Sequence, residues 1–215
     1  MKLIASVLHL DRKAVHELKI TEPYELHKVV YSLFSDERTI EEKQGSHPSG
    51  FLFADYGGDY HSKKILMLSN RQPQKKIHGK YGEVLSKEIP PDFLQHDSYR
   101  FKVIVNPTRR DSASRKLIPV KGRDVIAEWF VSRSQASWGF EVVQSQLQVD
   151  KTDVLQFKGK SQRLVTLAQA HIQGVLKVKD RQLFIKSFSQ GIGRGRAFGC
   201  GLLQIVPIVE NPFDC

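Results

Sequence analysis

The chain has 215 residues, with 33 Lys or Arg against 23 Asp or Glu, giving a formal net charge of +10 and an isoelectric point near 9.6. That balance favours a polyanionic partner. A hydrophobic content of 40% is enough for one large domain or two small ones. No apolar run reaches the roughly 18 residues that a membrane-spanning helix needs. The two cysteines, Cys200 and Cys215, exclude a disulfide framework and a thiolate metal site and suit a reducing cytoplasm.

The apolar start, Met1 to Leu10, lacks a basic leader and a small-residue cleavage site, so residues 2–10 read as a first strand rather than a signal peptide. A polar connection with some helical character, Asp11 to Ile20, leads to Thr21-Glu22-Pro23-Tyr24. A capping hydroxyl, an acid and a proline in the first turn mark a helix start there, and the helix is expected to run to about Phe34. Leu26, Val29, Val30, Leu33 and Phe34 fall at i, i+3, i+4, i+7 and i+8, the spacing of a core face. At about 100° per residue, Tyr24, His27, Lys28 and Tyr31 gather on the opposite face, where His27 is expected to be exposed.

Residues 35–49 are polar and read as loop. Phe51–Ala54 and Lys64–Ser69 read as strands joined by the turn Asp55-Tyr-Gly-Gly-Asp-Tyr60. Residues 70–82 read as loop and Val84–Ile89 as a short strand. This is β-α-β-β-β, the start of a ferredoxin-like or RRM-like domain. Pro90-Pro91 marks a boundary between domains at 1–89 and 92–215.

In the second part Ser98–Val105 alternates as a strand. Asn106-Pro-Thr-Arg109-Arg110 leaves it and Arg115–Val120 returns. A helix is expected from about Arg123 to Ser134, burying Val125, Ile126, Trp129 and Phe130. A strand from Trp138 to Val149, a basic hairpin tip over 150–163, a long strand from Leu164 to Lys177 and a helix from Asp180 to Gln190 follow. The chain then enters Gly191-Ile-Gly-Arg-Gly-Arg-Ala-Phe-Gly-Cys-Gly201 and a last strand. The order β-β-α-β-β-α-β predicts a second α+β sandwich. The expected fold is thus α+β, two tandem ferredoxin-like domains with antiparallel sheets.

The glycine stretch can turn several N–H groups toward an anion, and Arg194 and Arg196 add phosphate donors. It is neither a dinucleotide fingerprint nor a P-loop. Counting Gly-x-Gly-x-x-Gly from Gly191 or Gly193 ends on Arg196 or Phe198, no Gly-Lys-Ser/Thr exists, and the order runs from helix to strand. It is equally what a flexible connection looks like.

The eight histidines form neither His-x-His nor His-Glu-x-x-His, so no metal site is expected, and no serine sits in Gly-x-Ser-x-Gly. That leaves Tyr24 and His27, one helical turn apart. Histidine suits proton transfer near neutral pH, and a phenol and an imidazole at i, i+3 can converge on one group; taken alone, the same spacing is common as surface decoration of a helix. RNA carries its own nucleophile, the 2′-OH, so an acid or base with charge stabilisation would suffice and no cofactor is called for. Basic clusters that could track a phosphate backbone are Arg109, Arg110, Arg115 and Lys116; Lys158, Lys160 and Arg163; and Arg194 and Arg196 beside Gly193. Each is also what a solvated hairpin tip looks like.

Pro23-Tyr24-Glu-Leu-His27, Tyr99-Arg-Phe-Lys-Val-Ile-Val-Asn106-Pro107, Phe157-Lys-Gly-Lys followed by Gly174-Val-Leu, and Gly191 to Leu203 occur in that order. Together they resemble the CasE-type CRISPR RNA endoribonucleases, Cascade subunits of the RAMP superfamily. The resemblance spans nearly the whole chain. It implies two ferredoxin-like domains and metal-independent cleavage of precursor CRISPR RNA at the 3′ base of a repeat hairpin. The products implied are a 2′,3′-cyclic phosphate and a 5′-hydroxyl, with the hairpin retained in Cascade beside its other subunits. It implies His27 as general acid or base and Tyr24 as a positioning donor. The turn at 109–116 and the hairpin at 158–163 match regions that grip the RNA stem. Some relatives carry another basic residue one turn beyond the histidine, where this chain has Tyr31 and Ser32; Lys28 or a residue of another segment could supply that charge. The alternative is a non-catalytic RNA-binding RAMP subunit, and the two readings part at His27.

Overall fold

The computed structural model describes residues 2–36, 39, 49–58, 62–159 and 163–209. Its contacts group the chain into two units. The first comprises Met1–Ile89, Phe157–Val165 and Ala197–Gly199, and the second Pro90–Gln156, Thr166–Arg196 and Cys200–Cys215.

In the first unit the strand β1 (Ile4–Asp11) alternates strictly, burying Ile4, Ser6, Leu8 and Leu10, the period-two pattern of a strand with one face on a core. It pairs antiparallel with β3 (Ser62–Ser69) on one side and β4 (Glu83–Glu88) on the other, with Val7 opposite Leu66 and Leu85. β2 (Phe51–Gly58) adds to β3. The sheet order β2-β3-β1-β4 is the ferredoxin-like order. Asp11 ends β1 and starts the short helix α1 (Arg12–Glu17), its carboxylate accepting from the Ala14 amide at 2.6 Å. The helix α2 (Pro23–Ser32) lays Leu26, Val29 and Val30 on the sheet, and Leu33 and Phe34 just beyond it complete the expected core face. These pack with Leu8, Leu10, Phe53, Ile65, Met67 and Ile77 in one apolar cluster. Residues 70–82, between β3 and β4, hold a turn closed by an Ile77–Tyr81 bridge rather than a helix.

The second unit repeats the topology. β5 (Ser98–Val105), β8 (Phe140–Val142), β10 (Leu164–Val178) and β11 (Gln204–Pro207) stand in the order β11-β5-β10-β8. Numbered along each unit, the strands run fourth, first, third, second in both sheets. β9 (Gln148–Lys158) pairs with β10. β6 (Thr108–Arg110) and β7 (Leu117–Pro119) form a separate hairpin before helix α3 (Arg123–Arg133), and α4 (Arg181–Gln190) starts on Asp180, whose carboxylate caps the Leu183 amide at 2.9 Å. The core is aromatic: Phe101 stacks on Phe130 at 5.6 Å, and Phe140, Phe184, Tyr99 and Trp138 surround them. Tyr99 is fully buried and its hydroxyl donates to the Phe93 carbonyl at 2.8 Å, so the one polar atom of that ring is satisfied.

Three sequence expectations are corrected. The stretch from Trp138 to Val149 is not one strand. A π-helical turn over Ser134–Trp138 ends on Gly139 in the left-handed region, and a 3₁₀ turn at Gln144–Gln146 separates β8 from β9. Val125 is 48% exposed, because α3 buries the Ile126–Phe130 stripe and Val125 lies beside it. The N-cap of α2 is Glu22 rather than Thr21 and makes no side-chain cap bond. The turn expected at Asp55–Tyr60 lies partly outside the described residues.

Candidate active site

Pro23 opens α2 at its first turn, where a missing N–H costs nothing. With Leu26, Val29 and Val30 committed to the core, the helical period carries Tyr24, His27, Lys28 and Tyr31 to the other side. His27 is not exposed there, as the helix alone implied. It is half-buried, because the glycine stretch brings Ala197 and Phe198 over it. Three rings surround the imidazole: Tyr24 with centroids 6.4 Å away and 26° between planes, Tyr31 at 5.8 Å, and Phe198 at 6.0 Å. Its Nδ1 is buried without a hydrogen-bond partner among the described residues. Burial lowers the His27 pKa below its ordinary 6.5, and the Ala197 backbone opposes the shift in part. The shift favours the neutral form of the ring.

The neighbours are fixed in turn. The Tyr31 hydroxyl donates to Asp36 at 2.7 Å and its ring meets Phe51 edge-on at 5.7 Å. Phe198 rests on Phe157, which is buried, at 4.6 Å. Lys28 stays exposed, with its Nζ 5.0 Å from the Tyr24 ring and 3.7 Å from a Glu25 carboxylate oxygen. It is thus the cation nearest the Tyr24–His27 pair on this helix.

The same packing brings a basic segment to this group. Phe157 is followed by Lys158, and the end of the β9–β10 hairpin is closed by the Gly159 amide donating to the Arg163 carbonyl at 3.0 Å. Lys158 and Arg163 are exposed; Lys160 lies outside the described residues. In the second unit Arg109, Arg110, Arg115 and Lys116 are all exposed on the β6–β7 hairpin. Its turn is held by Asp111, which accepts from the Ser114 amide and hydroxyl at 2.7 Å each. Those bonds hold the Asp111 carboxyl below the usual carboxylate range.

The glycine stretch is more committed to its own structure than a simple phosphate cradle. The Ile192 amide donates to the Gly201 carbonyl, the Gly201 amide to the Ile104 carbonyl and the Cys200 amide to the Gly195 carbonyl. Arg196 spends one guanidinium N–H on the Gln190 carbonyl at 2.8 Å. Gly193 and Arg194 remain at the exposed surface. Cys200 is buried with its thiol pushed up to about 12, which leaves it inert. Among the described residues no three His, Cys, Asp or Glu side chains gather as metal ligands, and no helix is long and apolar enough to cross a membrane.

Sequence reasoning does not single out Phe198, Phe157 or Tyr31 as site residues, although the first two lie inside recognisable motifs. The only signal for those two is an aromatic in a glycine-rich or basic stretch.

Two ferredoxin-like units and a Tyr-His helix roofed by a glycine-rich segment define the class of protein to seek. The chain belongs to the CRISPR associated protein family, whose sequence model matches residues 3–207. It is 23% identical over 199 residues to the CRISPR-associated endoribonuclease Cse3 of Thermus thermophilus, covering 87% of this chain and 92% of that protein. Its fold matches that of the CRISPR endoribonuclease Cse3 bound to a 19-nucleotide RNA with a TM-score of 0.80 at 21% identity, over 96% of this chain and all of that one. It also matches Cas6e of Escherichia coli K-12 with a TM-score of 0.61 at 18% identity, again over 96% and 100% of the two chains.

Proposed function

We propose that the protein is an endoribonuclease that cleaves precursor CRISPR RNA at the 3′ base of the repeat hairpin without a metal ion, and that it keeps the product hairpin within a Cascade-type complex. The observation that carries this reading is the half-buried His27 among Tyr24, Tyr31 and Phe198, with Lys28 and the end of a basic hairpin in the same unit. His27 is assigned as the group that gives a proton to the leaving O5′ or takes one from the attacking 2′-OH. The 2′-oxygen attacks the adjacent phosphorus as the P–O5′ bond breaks, giving a 2′,3′-cyclic phosphate and a 5′-hydroxyl once the leaving oxygen has gained a proton. Tyr24 is assigned to position or stabilise the phosphate, and Lys28 to offset its growing negative charge. Arg109, Arg110, Arg115, Lys116, Lys158, Lys160, Arg163, Gly193, Arg194 and Arg196 are assigned to the RNA backbone. The name of the Cse3 relative, the RNA in its structure and a fold match at 19% identity, TM-score 0.67, to a chain of a CRISPR RNA-guided surveillance complex support the substrate and the partner.

His27→Ala is the deciding variant. Loss of a general acid or base costs about 10²–10⁴ in rate, so hairpin cleavage should fall at least 100-fold while the hairpin dissociation constant stays within about twofold. Undiminished cleavage by the variant would refute the assignment of His27, and a wild-type protein that binds the hairpin without cutting it would be an RNA-binding subunit only. Excess EDTA should leave the wild-type rate unchanged; a loss restored by a divalent ion would refute the metal-free step.

A further inference from the structure

The second unit holds a recess of about 310 Å³ formed by the base of the β6–β7 hairpin, the end of α3 and the glycine stretch. Arg110, Arg133 and Arg194 stand around it, and no carboxylate is among its lining residues. Three guanidinium groups without an acid make an anion site, and the planar forks suit phosphate oxygens. Two further features ask for more than an anion. Asn106 lines the recess, and its Oδ1 is buried with no hydrogen-bond partner among the described residues. An orphaned acceptor costs free energy until a donor arrives, and a phosphate diester brings none. The other lining is aromatic: Trp129 and Trp138, edge-to-face at 6.0 Å. Trp129 is pinned by its indole N–H donating to the Thr108 carbonyl at 3.1 Å, so it offers a fixed apolar surface and no further donor. A ligand that satisfies all three features joins a phosphate to a flat ring bearing N–H groups.

We infer that this recess is a nucleotide subsite, in which Arg110, Arg133 and Arg194 hold the phosphate, Trp129, backed by the buried Trp138, packs against the base, and Asn106 turns its amide to accept from a base N–H. None of these residues belongs to the group around His27. Arg133, Asn106 and the tryptophans thereby gain a role that the charge clusters of the sequence did not suggest. The RNA-processing reading bears only on the source of the nucleotide: an unpaired residue of a bound RNA or a free nucleotide would present the same chemistry.

The only two tryptophans of the chain both line the recess, so intrinsic fluorescence reports on it directly. The full-length protein is titrated with AMP, CMP, a single-stranded trinucleotide RNA and inorganic phosphate. Saturable quenching by a nucleotide is expected, with phosphate alone needing at least tenfold higher concentration. Arg133→Ala, at an exposed position, should raise the nucleotide midpoint about tenfold, the loss of a charge-assisted hydrogen bond. Asn106→Ala should reduce the preference for nucleotide over phosphate without changing the phosphate midpoint. A trinucleotide midpoint well below those of AMP and CMP supports an RNA strand as occupant, and the reverse order supports a free nucleotide. Quenching by phosphate as effective as by nucleotide, no saturable response, or an Arg133→Ala midpoint equal to wild type would each overturn the subsite. If the protein cleaves a repeat hairpin but its fluorescence answers to no nucleotide, the subsite fails and the proposed function stands. If nucleotides quench but the hairpin is neither bound nor cut, the opposite holds.

Discussion

His27 shows how one residue's chemistry depends on a neighbour distant in the chain. Solvated on a helix surface, it would titrate near 6.5; under Phe198 it is desolvated and its pKa falls. The kcat/KM profile reports the free enzyme, so its acid limb should lie below 6.5 when His27 acts as the base. Phe198→Ala uncovers the ring and should move that limb up toward 6.5, measured with a short hairpin substrate across pH 5–8; an unmoved limb would separate Phe198 from the site. The same shift affects stability. The folded pKa lies below the unfolded one, so between the two values the unfolded chain binds more protons. The His27 contribution thus raises stability as pH rises through that window, and the benefit is lost as pH falls from 6.5 to the folded value. The placement of Tyr24, His27 and Lys28 on one helix face was legible from spacing alone. The degree of burial was not, since Ala197 and Phe198 reach His27 only through tertiary packing.

At the scale of elements, α2 is the part most fully determined by local pattern. Its five predicted core positions, Leu26, Val29, Val30, Leu33 and Phe34, are all buried. Leu26→Ala should cost about 2–5 kcal/mol through the cavity it leaves, read as a lower urea midpoint. The join between α3 and β8 is the contrary case. Ser134 to Trp138 suggested a helix end running straight into a strand, but the chain turns at Gly139 with φ +78°. A Cβ there would meet the Phe184 amide nitrogen at 2.5 Å and the Asp180 carbonyl oxygen at 2.6 Å. Both are backbone atoms at the start of α4, and the Gly139 carbonyl accepts from the Lys179 and Asp180 amides. Gly139→Ala should therefore destabilise by about 3 kcal/mol, the upper part of the usual range for single substitutions, measured by thermal or urea unfolding. A change below about 0.5 kcal/mol would mean that the start of α4 yields easily. Nothing in the sequence near Gly139 announced that approach, because the crowding atoms belong to a helix some forty residues later.

For the whole molecule, a net charge of +10 predicts hairpin affinity that falls steeply with salt, as each neutralised phosphate releases counterions. Plotting the logarithm of the association constant against that of salt concentration should give a negative slope. Arg109→Ala or Lys116→Ala should each lessen that slope by about one, measured by fluorescence anisotropy. A slope near zero would reduce the exposed basic clusters to solubility. Composition, charge, the order of strands in the first unit, the core face of α2 and the motifs that point to a CRISPR-associated family were all available from the sequence, since each depends on residue type or on spacing within one element; the strand over Gln148–Lys158, read as part of a hairpin tip, was not. Tertiary structure alone decided that Phe198 roofs His27, that Phe157 brings the end of a basic hairpin to the same group, and that Asn106, Arg133 and Arg194 meet two tryptophans around one recess. Those facts depend on which distant segments pack together, and helical and strand periodicity carry information only about the face a residue shows, not about what will cover it.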